Sequence, residues 1–292
     1  MTLEQLRIFI AVADRQHVTQ AARELNLTQS ATSAAIAALE ARYGVKLFDR
    51  IGRGIVLTRT GSDFLIEARG VVARAHDAVQ VLNDLAGLKR GSLALAASQT
   101  VANYWLPPRL QALQKAHPGI DLHVTIANTE QVAQAVHDGA ADLGFVEGTV
   151  ADPLLAARRI DGDELVVVVG MNHPWAGQKR ITAKQLTGTG WVLREPGSGT
   201  RAMFEAALRK HGIKPSELRV ALELPSNEAV RAAVESGDSA TAISNLVVAR
   251  SLEAGVLHRV TFDLPRRAFY LLRHKERHAS NAEAALRQSF GV

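Results

Sequence analysis

The 292-residue chain contains no cysteine, which removes disulfides, thiolate metal sites and cysteine nucleophiles together. It also lacks any run near the roughly 18 uninterrupted apolar residues that a membrane span requires. The opening MTLEQLRIF has no basic-then-apolar signal-peptide layout, so a cytoplasmic location and no membrane partner are expected. Catalytic signatures are missing as well. Gly197-Ser198-Gly199 is too short for a nucleophile elbow, and Gly199-Thr200-Arg201 replaces the GK[ST] ending of a phosphate loop. Gly188-Thr189-Gly190 is too little for a dinucleotide fingerprint. The HKERH at 274–278 is neither HExxH nor HxxEH, and its basic neighbours predict exposure rather than a metal site. No enzymatic activity, cofactor or metal is expected.

The composition is 47% hydrophobic and 22% charged, enough to bury the cores of two or three globular domains. A net charge of +5 favours an anionic partner. Three of those five charges lie in residues 1–61, where eight basic residues meet five acidic ones.

That basic region reads as helices. Leu3, Leu6, Phe9, Ile10 and Ala13 recur at helical spacing, 19–25 forms a second short helix, and Asn26-Leu27 interrupts it. Thr28 is placed to cap a third helix over 29–43, with Ala31, Ile36 and Leu39 facing inward and Gly44 as the stop. Ala21 and Ala22 let two helices approach closely, with Leu25, Leu27 and Ile36 between them, which makes a helix-turn-helix. In 45–61, Arg50, Arg53 and Arg59 surround a Gly52/Gly54 turn between two apolar runs, the pattern of a two-stranded wing whose arginines reach phosphates. From 62 to about 89 there is no proline, and apolar residues recur every three to four positions. One linker helix of roughly 40 Å is predicted. Its stripe, including Phe64, Leu65, Val72, Val79 and Leu82, is most simply covered by a second copy of itself, with packing onto its own domains as the alternative.

After Gly91 the texture becomes α/β. SLALAA, IDLHVTIA and ADLGFVEG read as strands separated by helices over 102–117 and TEQVAQAVHDG, an order that implies a parallel sheet. Further strands are expected at 165–169, 190–193, 220–224 and 240–243, and helices at 200–210 and 228–236. RAFYLLRHK, 267–275, can return to the first sheet. Two lobes, about 91–162 with 267–292 and about 163–266, then leave a cleft between them. At matching positions of the two lobes, Ser98-Gln99-Thr100 and PGSGTR lie between a strand and a helix. Hydroxyls beside free amides at a helix start bind small oxyanions. Ser98, Thr100, Ser198, Gly199 and Thr200 are therefore the expected effector-binding residues, with Glu147 lining the same cleft. Each turn taken alone reads more readily as simple helix capping, and it is the pair at matching positions that favours the anion site.

The stretch TQAARELNLTQSATSAAIAALEARYGVKLFDRIGRGIVLTRTG resembles the amino-terminal signature of the LysR-type transcriptional regulators, and the likeness extends along the chain. It implies an all-α winged helix-turn-helix domain over 1–61, a dimerising linker helix over 62–90, and an α/β effector domain of two periplasmic-binding-protein-like lobes over 91–292. The implied partners are double-stranded promoter DNA, a small anionic effector, and further copies of the chain as a dimer of dimers. ASQTVANYWLP, LGFVEG and REPGSGTR are similar to the CysL-like branch linked to sulfur metabolism, which favours sulfite or sulfate. Branches that sense phosphorylated carbon metabolites have related turns. A solute-binding protein or an enzyme on the α/β part is the rival from another class. Family recognition helices often carry arginine or glutamine where this chain has Ala34 and Ala35. DNA contact is accordingly expected from Thr28, Gln29, Ser30, Thr32 and Ser33, with Arg50 and Arg53 on the wing.

Overall fold

The computed structural model describes residues 1–52, 54–85 and 91–291, the side chain of Asn83 apart. The chain divides into two compact units near residue 87.

In the first unit, α1 (Leu3–Arg15) is opened by a capping box in which Thr2 and Gln5 each satisfy the other's backbone. Helix α2 (Val18–Glu24) and α3 (Gln29–Tyr43) follow, and Thr28 Oγ1 accepts from the Ala31 amide to start α3. The inward line of α3 is Thr32, Ile36 and Leu39. Ala31 was expected on that line but is exposed, because it lies one residue, about 100° of helix, away from Thr32. Strands β1 (Phe48–Ile51) and β2 (Gly54–Leu57) pair antiparallel as the wing. Glu40 of α3 ties the wing down: its carboxylate accepts from the Leu47 and Phe48 amides at 2.8 and 3.2 Å and from Lys46 at 3.0 Å.

The long helix α4 runs Arg59–Leu85, starting three residues before the position read from the sequence. Thr58 explains the early start. Its hydroxyl accepts from the Gly61 amide at 2.9 Å while donating to the Lys46 carbonyl at 2.8 Å. A side chain on Gly61 would collide with the Leu47 backbone, so glycine is required for this close approach. Phe9 packs on Phe48 of the wing and Phe64 of α4, with ring centroids 5.4 and 5.0 Å apart. One apolar cluster thus joins α1, the wing and the start of α4.

The second unit holds two sheets that share one strand. Its strands are β3 (Gly91–Ser98), β4 (Ile120–Ala127), β5 (Leu143–Glu147), β6 (Leu155–Gly170), β7 (Gly190–Arg194), β8 (Arg219–Leu224), β9 (Ala240–Ser244), β10 (Leu257–Val260) and β11 (Arg266–His274). The helices are α5 (Pro107–Ala116), α6 (Thr129–Asp138), α7 (Ala183–Leu186), α8 (Gly199–Lys210), α9 (Asn227–Ser236), α10 (Asn245–Glu253) and α11 (Asn281–Ser289). In the first lobe the order is β4-β3-β5-β11-β6, with β3, β4 and β5 parallel and β11 antiparallel to both its neighbours. Strand β6 then continues into the second lobe, where residues 165–169 pair with β9 and its end pairs with β10. Strands β7 and β8 complete that sheet. Each lobe has its own core, built around Trp105, Phe145 and Phe269 in the first and Trp191 and Phe204 in the second.

Two differences from the sequence reading have local causes. The single helix expected over 102–117 is a π-helical turn, Val101–Trp105, followed by α5. Pro107 and Pro108 lack amide hydrogens, so they are tolerated only at a helix start and force a new one there. The first half of β6, ARRIDGDE, is mostly charged, so it carries no hydrophobic signal; only its apolar second half was legible.

Candidate functional site

The C-terminal ends of the parallel strands in both lobes converge, as open α/β sheets place their binding loops. Glu147 ends β5, and its side chain is 3% exposed. Ser98, at the end of β3, donates to its Oε2, and Thr200, in the first turn of α8, donates to its Oε1 at 3.3 Å. Arg267, at the start of β11, is wholly buried. It makes a two-pronged ion pair with Asp163 of β6, donates to Thr200 Oγ1 at 2.9 Å, and stands 3.7 Å from Glu147. Ser244 also donates to Asp163. These contacts tie the two crossover strands, β6 and β11, to both lobes. The Arg267 guanidinium thus faces two carboxyl groups, Asp163 and Glu147.

A second set of contacts bridges the lobes beside it. Asn227 Nδ2 donates to Thr100 Oγ1 at 3.1 Å, while Arg194 donates to Asn227 Oδ1 at 2.5 Å. Gln99 accepts from the Asn227 amide and donates to the Pro225 carbonyl. Burial opposes ionisation of Glu195, but the Arg194 guanidinium pairing with both its oxygens outweighs this and holds the carboxyl below the usual glutamate range. The π-helical turn contributes Tyr104 and Asn103, which donate to Glu228 Oε1 at 3.0 and 3.3 Å. Burial, reinforced by Glu228, pushes the Tyr104 hydroxyl up to about 12. Burial works against Glu228 too, yet the donors around it, with its own backbone amide first, keep it below the ordinary value.

Of the expected cleft residues, Ser98, Thr100, Glu147, Ser198 and Thr200 are all at most 2% exposed and are gathered around this knot. Three of the four hydroxyls have protein partners: Ser98 and Thr200 serve Glu147, and Thr100 serves Asn227. Ser198 differs. It is the cap residue of α8, yet it makes no side-chain capping bond, and its hydroxyl has no hydrogen-bond partner among the described residues. Gly199 is a point of lobe contact, since a Cβ there would lie 2.5 Å from the Glu147 carbonyl and 2.6 Å from Thr129 Oγ1. Sequence reasoning missed Arg267, Asp163, Asn227 and Ser244, which lie on strands or ends with no motif around them, and Arg194, which opens the REPGSGTR stretch but was not singled out. Arg201 is occupied elsewhere, by Glu205 and Glu223. Next to the knot lies a cavity of about 460 Å³, lined in part by Glu130, Gln134, Gly148, Asp152 and Met203 and by no Lys, Arg or His among the described residues. His274, expected to be exposed, is 9% exposed and accepts from the Glu276 amide. No group of three His, Cys, Asp or Glu side chains able to hold a metal occurs among the described residues.

In the first unit, Thr28, Gln29 and Ser30 are exposed and Ser33 is half-buried. Thr32 has to be removed from the expected DNA-contacting set: it is fully buried, and its hydroxyl donates to the Thr28 carbonyl at 3.1 Å. Arg50 is exposed on β1, and Arg53 lies outside the described residues. The expected dimerising stripe also needs correction. Phe64, Leu65 and Val72 pack against the core of their own winged domain. The outward apolar residues of α4 include Val71, Val79, Leu82 and Leu85, at 44, 53, 66 and 79% exposure.

A helix-turn-helix with a wing, on the same chain as a two-lobed α/β module whose lobes close on a polar cleft, defines a DNA-binding regulator with a ligand-sensing module. Family comparison agrees. Residues 3–62 match the bacterial regulatory helix-turn-helix proteins of the lysR family, and residues 86–291 match the LysR substrate binding domain. The chain belongs to the LysR family of transcriptional regulators and is not an enzyme. It is 34% identical to the uncharacterized regulator YeiE of Escherichia coli (97% of this chain, 94% of that one). It is 33% identical to the RuBisCO operon transcriptional regulator of Allochromatium vinosum (99% and 95%), and 32% identical to CysL of Bacillus subtilis (93% and 91%). The fold is shared with CbnR solved with its target DNA, at a TM-score of 0.67 and 22% identity over 100% of this chain and 99% of that one. No described helix is long and apolar enough to cross a membrane.

Proposed function

We propose that a small oxyanion bound between the lobes controls DNA binding by α3 in a homo-oligomer. The observation that carries the ligand part is Ser198. A hydroxyl that is 2% exposed and unpartnered is rare, because a buried donor without an acceptor costs about 1–3 kcal/mol. Here it stands at the start of a twelve-residue helix whose first amides have no acceptor within the helix. An oxyanion satisfies both. Its likeness to CysL favours sulfite or sulfate, and the tight packing of Gly199 against Glu147 favours a ligand of that size. The likeness to RuBisCO operon regulators supports the alternative, a phosphorylated carbon metabolite, and the neighbouring cavity has the volume for it. That cavity, however, offers acidic side chains and no basic one, which is poor for a phosphate ester.

Because the ligand touches both lobes, it favours one lobe arrangement by its differential affinity for the two. Coupling to DNA runs through α4. Val71, Ala75, Ala78, Leu82 and Leu85 recur at four and three residues, the spacing of a coiled-coil seam, and a second copy of α4 covers this seam in a dimer. Family resemblance extends this to a dimer of dimers in the cytoplasm, with Gln29, Ser30 and Ser33 at the major groove and Arg50 and Arg53 at phosphates. A thermal-shift screen of the full-length protein against sulfite, sulfate, thiosulfate, O-acetylserine and sugar phosphates tests the ligand class. Stabilisation by the sulfur oxyanions supports it, and stabilisation by a sugar phosphate alone overturns it.

A further inference from the structure

The outward face of α3 is almost bare of functional groups. Buried Thr32, Ile36 and Leu39 fix the inward line of the helix. Opposite them, at a spacing of four, three and four residues, lie Ser30, Ala34, Ala37 and Ala41, flanked by Ala31 and Ala38, and all six are exposed. From Gln29 to Leu39 the helix carries no charged residue. The two that follow are engaged away from this face. Glu40 holds the Leu47 and Phe48 amides and Lys46, and the Arg42 guanidinium lies 5.6 Å from the ring centroid of Tyr43. Gln29 sits at the edge of the face, with its amide nitrogen 3.3 Å from Ser33 Oγ.

Reading a guanine in the major groove takes a bidentate Arg or Lys, and reading a cytosine takes a carboxylate acceptor. This face has none of these. What it presents is a row of methyl groups, and the one apolar feature of the major-groove floor is the thymine C5-methyl. Short side chains also let the helix backbone approach the groove floor closely, which methyl-to-methyl contact demands.

We propose that α3 selects its DNA through thymine methyls, with Ala34 and Ala37 as the specificity-determining residues and Gln29 adding an adenine contact at the edge. The operator segment under α3 is then rich in T·A pairs and contains no guanine whose N7 is read. This rests on the assignment of α3 to the major groove.

The test uses the full-length protein and duplexes enriched by it from a randomised pool. In the enriched duplex, each thymine is replaced singly by deoxyuridine, which removes only the methyl, and each guanine by 7-deazaguanine, which removes only the N7 acceptor. Burying one methyl corresponds to about a fourfold change in affinity. At least two thymines per half-site are expected to show a loss of about that size with deoxyuridine, and 7-deazaguanine to change affinity by less than twofold. An Ala34→Ser variant, which retains a small helix-compatible side chain, is expected to lose sensitivity to deoxyuridine at one position while keeping it at another. Sensitivity to 7-deazaguanine without sensitivity to deoxyuridine overturns the proposal and leaves α3 as the reading helix. Enrichment of no sequence despite tight duplex binding also overturns it. Absence of any duplex binding overturns the assignment of α3 to DNA as a whole.

Discussion

The exposed face of α3 and the cleft between the lobes handle polarity in opposite ways. The α3 face is small, uncharged and open to solvent, so its selectivity depends on what it is pressed against. The cleft is charged, buried and internally paired, with Arg267, Asp163, Glu147 and Arg194 all at most 4% exposed at residue or side-chain level. A surface that meets a partner from outside can leave its groups free, whereas a cleft that closes on itself must satisfy nearly every buried charge. Ser198 stands out because it breaks that rule.

The contrast is broken most severely at Arg267. Replacing it with Met leaves Asp163 and Glu147 buried without their cation, and removal of one partner of a buried pair is expected to cost about 3–5 kcal/mol. Chemical denaturation of the full-length protein measures this; a loss below 1 kcal/mol would show that the knot is solvated. By contrast, Ala37→Gln on the outward face of α3 should leave stability within about 0.5 kcal/mol of the parent.

A middle-sized effect is expected at Glu40, the one charged residue of α3 that acts structurally. Glu40→Ala strands the Leu47 and Phe48 amides and should destabilise the winged domain by about 1–3 kcal/mol. Amide exchange is expected to quicken at Leu47 and Phe48 first, and unchanged protection there would assign the wing's position to the Phe9, Phe48 and Phe64 packing alone.

The smallest effect concerns pH. Glu195 and Glu228 both sit below the ordinary glutamate value of 4.5 in the folded protein. Their contribution to stability is therefore present above 4.5 and is lost as the pH falls through their lower folded values. Glu228→Gln should lower the melting temperature on the neutral side, where that contribution is present, and flatten the decline on the acid side, where the two proteins converge. An identical acid limb in the variant would remove Glu228 from the latch with Tyr104.

The same contrast explains what could be read from the sequence. The helix-turn-helix was legible because Leu6, Phe9, Ile36 and Leu39 follow helical periodicity and Thr28 and Gly44 mark the ends of α3. Thr32 was misread because its hydroxyl was taken as a DNA-contacting group, although its spacing of four from Ile36 puts it on the inward line, where the hydroxyl returns to the Thr28 carbonyl. Ser98, Thr100, Ser198 and Thr200 were visible through their place between strand and helix. Of the groups that engage three of these hydroxyls, Glu147 was visible at the end of its strand, whereas Arg267 and Asn227 were not. Arg267 and Asp163 are 104 residues apart, and their pairing follows from the register of β11 on β6, a tertiary fact. The dimerising stripe was half legible: the repeat along α4 is plain, but which apolar residues the winged domain covers depends on its fold.

Isothermal calorimetry of sulfite and sulfate on the wild type and on Ser198→Ala tests the central claim most directly. The substitution removes an unpartnered hydroxyl, so the ligand-free protein should be as stable as the parent or slightly more so. Loss of a hydrogen bond to a charged ligand should weaken binding about tenfold or more. Equal affinity in the two proteins, with stability unchanged, would contradict the assignment of the oxyanion to the start of α8.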